Sequence, residues 1–292
     1  MIALCPCETD EDYEAWLGVR RAVLANERTP SLDELKASIG PNDLHVLAQL
    51  DGELAGSGLM NRSDTGRAHI APRVLPEKRG RGVGAALLQH LAEHAVELGY
   101  TAAGSHVPGD DEHSIAFAQR FGFEEERRDI QQVLEVINVE PRDVKGIAFV
   151  SIESRPDLVE AAYPLAQEGW ADMPIEGIDI SLESWLSEAA TLPGGSFAAL
   201  EGKDIVGLAE LRSWADEPAK AEHGLTVVRR DRRRRGLASA LKERQIAWAA
   251  ANGIRTLVTY TQTGNENMQE VNARLGYVTS EFTITFARSL PL

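Results

Sequence analysis

The residues best placed to do chemistry form a loop: Arg79, Gly80, Arg81, Gly82, Val83 and Gly84, with an apolar run before it and a long helical pattern after it. Small residues let the backbone approach a ligand, and successive amides opening a helix make a nest for phosphate oxygens, to which the arginines add charge. Gly80, Gly82 and Ala85 also fit GxGxxA, a dinucleotide fingerprint. Pro76, Glu77 and Lys78 intervene, however, where that fingerprint expects a tight strand-to-helix turn. A second copy decides between the two. Arg233, Arg234, Arg235, Gly236, Leu237 and Ala238 lose the first glycine, so the preserved pattern is RxxGx(G/A) and a nicotinamide-dependent dehydrogenase is the poorer reading.

The repeat extends well beyond the loop. Gly82 and Gly236 stand 154 positions apart, and so do Gly122 and Gly276, each glycine of the second pair following a helical pattern and preceding an aromatic residue. Ser31, Leu32 and Asp33 match Ser181, Leu182 and Glu183. A period this long marks a duplicated domain rather than a solenoid. Each copy reads in the same order. In the first, strand 1–7 is followed by helix 11–26, then strands 46–50 and 54–60 flanking the Asp51–Gly52 turn signal, and strand 69–75 leading into the loop. Helix 83–98, strand 101–107, helix 114–121 and strand 129–139 follow. The charged segment 140–145, with Pro141, is the expected linker, giving domains 1–139 and 146–292; the second copy restarts at strand 146–152 and ends at strand 281–287.

Length fits two domains of ordinary size, and 43% hydrophobic residues give each a core. A net charge of −15 disfavours nucleic acid and favours cationic partners. Cys5 and Cys7 are too close for an ordinary disulfide framework and lack His or Cys neighbours for a metal, so no metal site is expected. No run reaches a membrane span and the start lacks a signal-peptide core; the expectation is a cytoplasmic protein with no membrane contact, a monomer or a homodimer.

With both motifs occurring twice at matching spacing, the chain resembles the GCN5-related N-acetyltransferases (GNAT) in tandem form. The resemblance implies an α/β (α+β) fold duplicated in the chain, each half a mixed, splayed β-sheet flanked by helices, its central strands parted to admit the pantetheine arm of acetyl-CoA. It assigns coenzyme contact to the loop residues Arg79–Gly84 and Arg233–Ala238. It makes the amides of Val74 and Val228, on the strands before the loops, candidate donors to an oxyanion.

Acetyl transfer needs a neutral amine, a base for its proton and a donor for the departing thiolate. The tyrosine that this family often places four residues before the glycine ending this helix, here Gly122 and Gly276, is replaced by Ala118 and Asn272. Candidate catalytic residues are therefore Glu222 as base, with His223 beside it and His69 and Ala68 at the matching places of the first half. Tyr260 is a substitute acid, with His106 as its counterpart, and Asn265 opens the last helix where the first half has Asp111. His69 and His223 read equally as packed strand residues. Trp170, Glu168 and Asp172 follow the second half's first helix, the acidic pair as an attraction for an amine and the tryptophan as core; Trp214 is a candidate cover for the acceptor. The basic run Arg229–Arg235 reads as coenzyme-binding in its loop part and solvated or paired outside it.

The expected activity is transfer of an acetyl group from acetyl-CoA to a small-molecule amine, with chemistry in the second half. An acetyltransferase acting on a protein amino group and a coenzyme A-binding sensor or scaffold without turnover are the alternatives.

Overall fold

A computed structural model describes residues 1–292. The chain runs β1 (Ile2–Pro6), α1 (Asp10–Val23), α2 (Leu32–Ser38), β2 (Leu44–Leu50), β3 (Glu53–Arg62), β4 (Ala68–Val74), α3 (Val83–Glu97), β5 (Ala102–Pro108), α4 (Glu112–Arg120) and β6 (Glu124–Glu135). It repeats with β7 (Ala148–Ser151), α5 (Asp157–Ala161), α6 (Tyr163–Trp170), α7 (Leu182–Glu188), β8 (Phe197–Glu201), β9 (Asp204–Ser213), β10 (Lys220–Val228), α8 (Leu237–Ala251), β11 (Thr256–Gln262), α9 (Glu266–Arg274) and β12 (Val278–Ser289). The sequence-predicted elements appear in order with their ends moved by a few residues, and the structure adds α2 and α7, which that order did not contain, and divides the second half's first helix into α5 and α6.

The local causes are visible in the chain. Asp51 and Gly52 both take positive φ (55° and 85°), the twist-matching turn that lets β2 and β3 pair directly. Ser31 closes a capping box with Glu34 at the start of α2, and Ser181 caps α7 through the Ser184 amide, so the repeated serine is a repeated helix start. Both cysteines are free; burial pushes the Cys7 thiol up to about 12, which leaves it an uncharged core group. No helix is long and apolar enough to cross a membrane.

Two compact units form, and their membership departs from the contiguous halves 1–139 and 146–292. One holds residues 1–128 with 282–292; the other holds 129–281. In the first unit the strands run β1-β2-β3-β4-β5-β12, antiparallel except for β4 beside β5. The second repeats this as β7-β8-β9-β10-β11-β6, with β10 parallel to β11. Residues 129–135 thus pair with β11, and residues 283–289 with β5. The reason is burial: Ile284 and Phe286 enter the apolar core that Ile70, Leu87 and Leu91 build in the first unit, while Leu134 joins Leu211, Ile246 and Leu257 in the second. The expected linker is not a free tether. Arg142 bonds the Glu243 carboxylate, and Arg244 reaches both the Arg142 carbonyl (2.7 Å) and Asp143 (2.8 Å), fastening the segment along α8.

Candidate active site

The two glycine loops have the same backbone. Gly82 (φ 86°) and Gly236 (φ 78°) are the residues from which α3 and α8 start, neither with a side-chain cap. Two positions earlier, Gly80 (φ 75°) and Arg234 (φ 63°) also occupy the left-handed region. The second loop therefore keeps the conformation although it has lost the glycine, at a strain of about 1 kcal/mol for an L-residue there. Alternating left-handed positions turn successive N–H groups toward one point, and the first-turn amides of each helix lack intrahelical acceptors. Beyond Gly80 and Gly236 the space is open for 4 Å. Both loops thus fit a phosphate group held by backbone.

The arginines divide into two roles. Arg79 Nε donates to the Val74 carbonyl (3.5 Å) and its guanidinium pairs with Asp111 (3.1 Å); Arg233 Nε donates to the Val228 carbonyl (2.8 Å) and pairs with Asp172 (2.5 Å). The leading arginine of each loop therefore ties it to the preceding strand. Arg81, Arg234 and Arg235 are exposed beside the nests. In the basic run, Arg229 pairs with Asp231, Arg232 with Glu201, and Arg230 with Asp172. Glu168 accepts from the Arg230 amide (2.5 Å). Glu168 and Asp172, read as an attraction for an amine, are instead occupied by these arginines, whose hydrogen bonds hold the Asp172 carboxyl at about 2. Trp170 is core, packed edge-to-face with Tyr163 and Trp185, and Trp214 is buried beneath Lys220.

Both parallel strand pairs part. β4 and β5 are paired only at Ala68–Ala103 and His69–Gly104, yet β4 continues to Val74 and β5 to Pro108. β10 and β11 are paired from Lys220–Thr256 to Glu222–Val258 and then separate. At the far end Leu75 N bonds Ala55 O, and Arg229 N bonds Val206 O, both at 3.0 Å. Antiparallel ladders alternate, so Val74 and Val228, one residue earlier, turn their N–H and C=O away from the antiparallel neighbour and toward the opening.

A one-residue difference re-aims the strands. β4 pairs with β3 without interruption, whereas β10 carries a bulge against β9 between His223 and Thr226. Ala221 and Ala68 then occupy the same place beside the parallel neighbour, and Glu222, not His223, stands where His69 stands. His223 turns to the α8 face, where it is buried and bonded to the Tyr277 hydroxyl. The pairing of His69 with His223 read from the constant interval is corrected by this bulge; for His223 the packed reading holds. Glu222 and Tyr260, at even spacing along neighbouring strands, share the opposite face. The Tyr260 hydroxyl accepts from Gln131 Nε2 (2.8 Å). Asn265 starts α9 but makes no side-chain cap, unlike Asp111, which holds Ser114 through its amide and hydroxyl. Asn272, at the missing tyrosine's place, is buried and donates to Gln132 (2.9 Å).

Arg20, Arg73, Glu210 and Lys242 were not singled out in the sequence; the first two join His69 and His106, which were. In the first unit's opening a cavity of about 280 Å³ is lined by His69, Arg73, His106 and Arg20 and, on its other side, by Leu88 and Phe117. Burial, then the neighbouring His106, Arg73 and Arg20, hold His69 neutral well below the usual histidine range. In the second unit Glu210 is fully buried, accepts from Trp185 Nε1 (3.0 Å) and the Leu225 amide (3.3 Å), and is raised by burial to about 7. Lys242 is buried over the Tyr277 ring with no hydrogen-bond partner for Nζ, and burial lowers it to about 7. The available signal was one polar residue inside an otherwise apolar run, as at Glu210 between Ala209 and Leu211.

Residues 9–123 and 159–277 each match the acetyltransferase (GNAT) family. Over 250 residues the chain is 28% identical to a mycothiol acetyltransferase of Streptomyces scabiei, covering 83% of this chain and 79% of that protein. A mycothiol acetyltransferase of Geodermatophilus obscurus is also 28% identical, over 82% and 80% of the two chains. Among solved structures, the fold is similar to a GCN5-related N-acetyltransferase from Sphaerobacter thermophilus (TM-score 0.75, 20% identity, 99% and 95% of the two chains). It is equally similar to a tandem GNAT protein from the clavulanic acid biosynthesis pathway (TM-score 0.75, 19% identity, all of both chains).

Proposed function

The chain belongs to the GNAT acetyltransferase family, and from that premise we propose that it moves an acetyl group from acetyl-CoA to the amine of a small molecule. The observation that carries this reading is the recurrence, in each unit, of a phosphate-shaped backbone nest beside a parallel strand pair that parts. The mycothiol acetyltransferase relatives support a small-molecule acceptor.

When bound, acetyl-CoA supplies a thioester whose carbonyl carbon is open to attack by a neutral amine. The amides of Gly80–Gly84 and Arg234–Ala238 hold pyrophosphate oxygens, with Arg81, Arg234 and Arg235 adding charge, while Arg79 and Arg233 fix the loops to their strands. The Val74 and Val228 N–H groups are the donors available to a carbonyl oxygen gaining negative charge. Glu222 takes the amine proton in the second unit, on the face it shares with Tyr260. Tyr260, oriented by Gln131, delivers a proton toward the departing sulfur, and Asn265, its side chain uncommitted to the helix, is available to the ligand. A second reading places the base at His69, favoured by the cavity around it and by its neutral state.

Thioester consumption across a panel of small amines tests the transfer, and two variants separate the readings. Glu222→Gln keeps the shape and removes the acceptor, so turnover is expected to fall ~10²- to 10⁴-fold while calorimetric coenzyme binding survives. His69→Gln with that loss, and Glu222→Gln without it, moves the chemistry to the first unit. No amine-dependent consumption by the folded, coenzyme-binding chain refutes the transfer itself.

A further inference from the structure

We propose that the opening of the first unit is a binding site for a small carboxylate, received by Arg73 with Arg20 beside it. The cavity is the one that surrounds His69: with acetyl transfer in the second unit the carboxylate is a separate ligand, and with transfer in the first unit it belongs to the acceptor, in which case His69→Gln lowers turnover while carboxylate binding remains.

Alternation along β4 sends His69, Ala71 and Arg73 to the side of α1, where the Arg73 guanidinium lies 4.9 Å from the Trp16 ring centroid. Arg73 is 6% exposed, and its Nη1 is buried with no hydrogen-bond partner. Burial lowers its pKa to about 9, which still leaves it cationic at neutral pH. Arg20 lines the same cavity from α1 and its Nε is likewise buried without a partner, although its Nη2 reaches Glu27 (3.5 Å) and the Arg28 carbonyl (3.0 Å). Glu27 is thus shared with one arginine, and Asp111, the other carboxylate on the cavity wall, is engaged by Arg79. Two guanidinium groups therefore face a cavity with one partly committed carboxylate to balance them.

A buried cation with an empty donor is unfavourable unless something anionic completes it. A planar guanidinium matches the two oxygens of a carboxylate. The walls formed by Val23, Leu24, Leu88 and Phe117 and the volume of about 280 Å³ suit a short apolar tail on that carboxylate. The place is particular to the first unit: the residue 154 positions on is Val227, buried in an apolar cluster.

The test uses the full chain with propionate, isovalerate and phenylacetate, each against its carboxamide, and with inorganic phosphate. Saturable calorimetric binding and a rise in melting temperature are expected for at least one carboxylate and not for its amide. Arg73→Met is expected to weaken that binding at least tenfold and, having lost an unpaired buried charge, to melt no lower than the parent without ligand. Should Arg73→Met fail to fold, Arg20→Gln must show the weakening. Equal response to acid and amide, binding of phosphate in preference to every carboxylate, no saturable binding, or full retention of binding in the folded arginine variants overturns the proposal.

Discussion

Replacing Lys242 by methionine is expected to stabilise the protein, in a way that depends on pH. The ammonium sits in the second unit's core against His223 and Tyr277, with no hydrogen-bond partner for Nζ and with Gln245 also buried nearby. Its first-unit counterpart, 154 positions earlier, is Leu88, a core residue. Burial takes the lysine from 10.5 to about 7, so between those values the unfolded chain binds a proton that the folded chain does not. Stability therefore rises with pH across that window, and the lysine is most unfavourable at and below its folded value. At ~1.4 kcal/mol per unit, the deficit is on the order of 4 kcal/mol near pH 7 and about 2 kcal/mol near pH 9. Methionine matches the volume and removes the deficit, so its gain over wild type is expected to shrink by about half between those two values of pH. Denaturant melts of both proteins at closely spaced pH read this directly. Burial raises Glu210 from 4.5 to about 7 and Cys7 from 9.0 to about 12, so their windows lie below and above the one used. A Lys242→Met protein that is no more stable than wild type at pH 7, or whose advantage stays constant to pH 9, refutes the idea of an uncompensated buried ammonium.

Glu210→Gln keeps an acceptor for the Trp185 indole while removing a carboxyl whose folded value is raised; its stability relative to wild type should therefore rise as pH climbs from 4.5 to 7, on top of the opposite slope that the buried histidines His45, His69 and His223 give both proteins, and a difference that stays constant there counts against the burial argument. Arg234→Gly relieves a positive-φ arginine and should gain up to about 1 kcal/mol by chemical denaturation, offset in part by the entropy of the new glycine. A melt below wild type would mean that the Arg234 side chain itself supports the loop.

The repeated loops were legible because their glycines and helix starts are conformational requirements written in residue type. Arg234 shows the limit of that logic: the sequence lost a glycine and the backbone kept the angle. A one-residue bulge is harder to read, since it leaves the apolar pattern of β10 intact on either side. A constant interval then aligned His223 with His69, although Glu222 occupies that place. Lys242, Glu243 and Gln245 look like a solvated helix face, yet all three are buried, one of them by the segment that reads as a linker. Arg73 follows a proline near a basic loop and carries no sequence mark of burial. Nor does a strand specify which of two similar sheet edges it will join; that depends on contacts far away in the chain, such as Phe286 with the core around Leu87.

The exchange of closing strands sets an order on synthesis. Residues 129–281 form an unbroken stretch, so the second unit has all its strands as soon as Glu281 leaves the ribosome. The first unit, begun earlier, must wait with β5 as an open edge and its core short of Ile284 and Phe286 until residues 282–289 arrive. Removing residues 282–292 therefore damages the unit that was begun first, and a cut at residues 140–145 leaves each fragment with the other's closing strand and without its own.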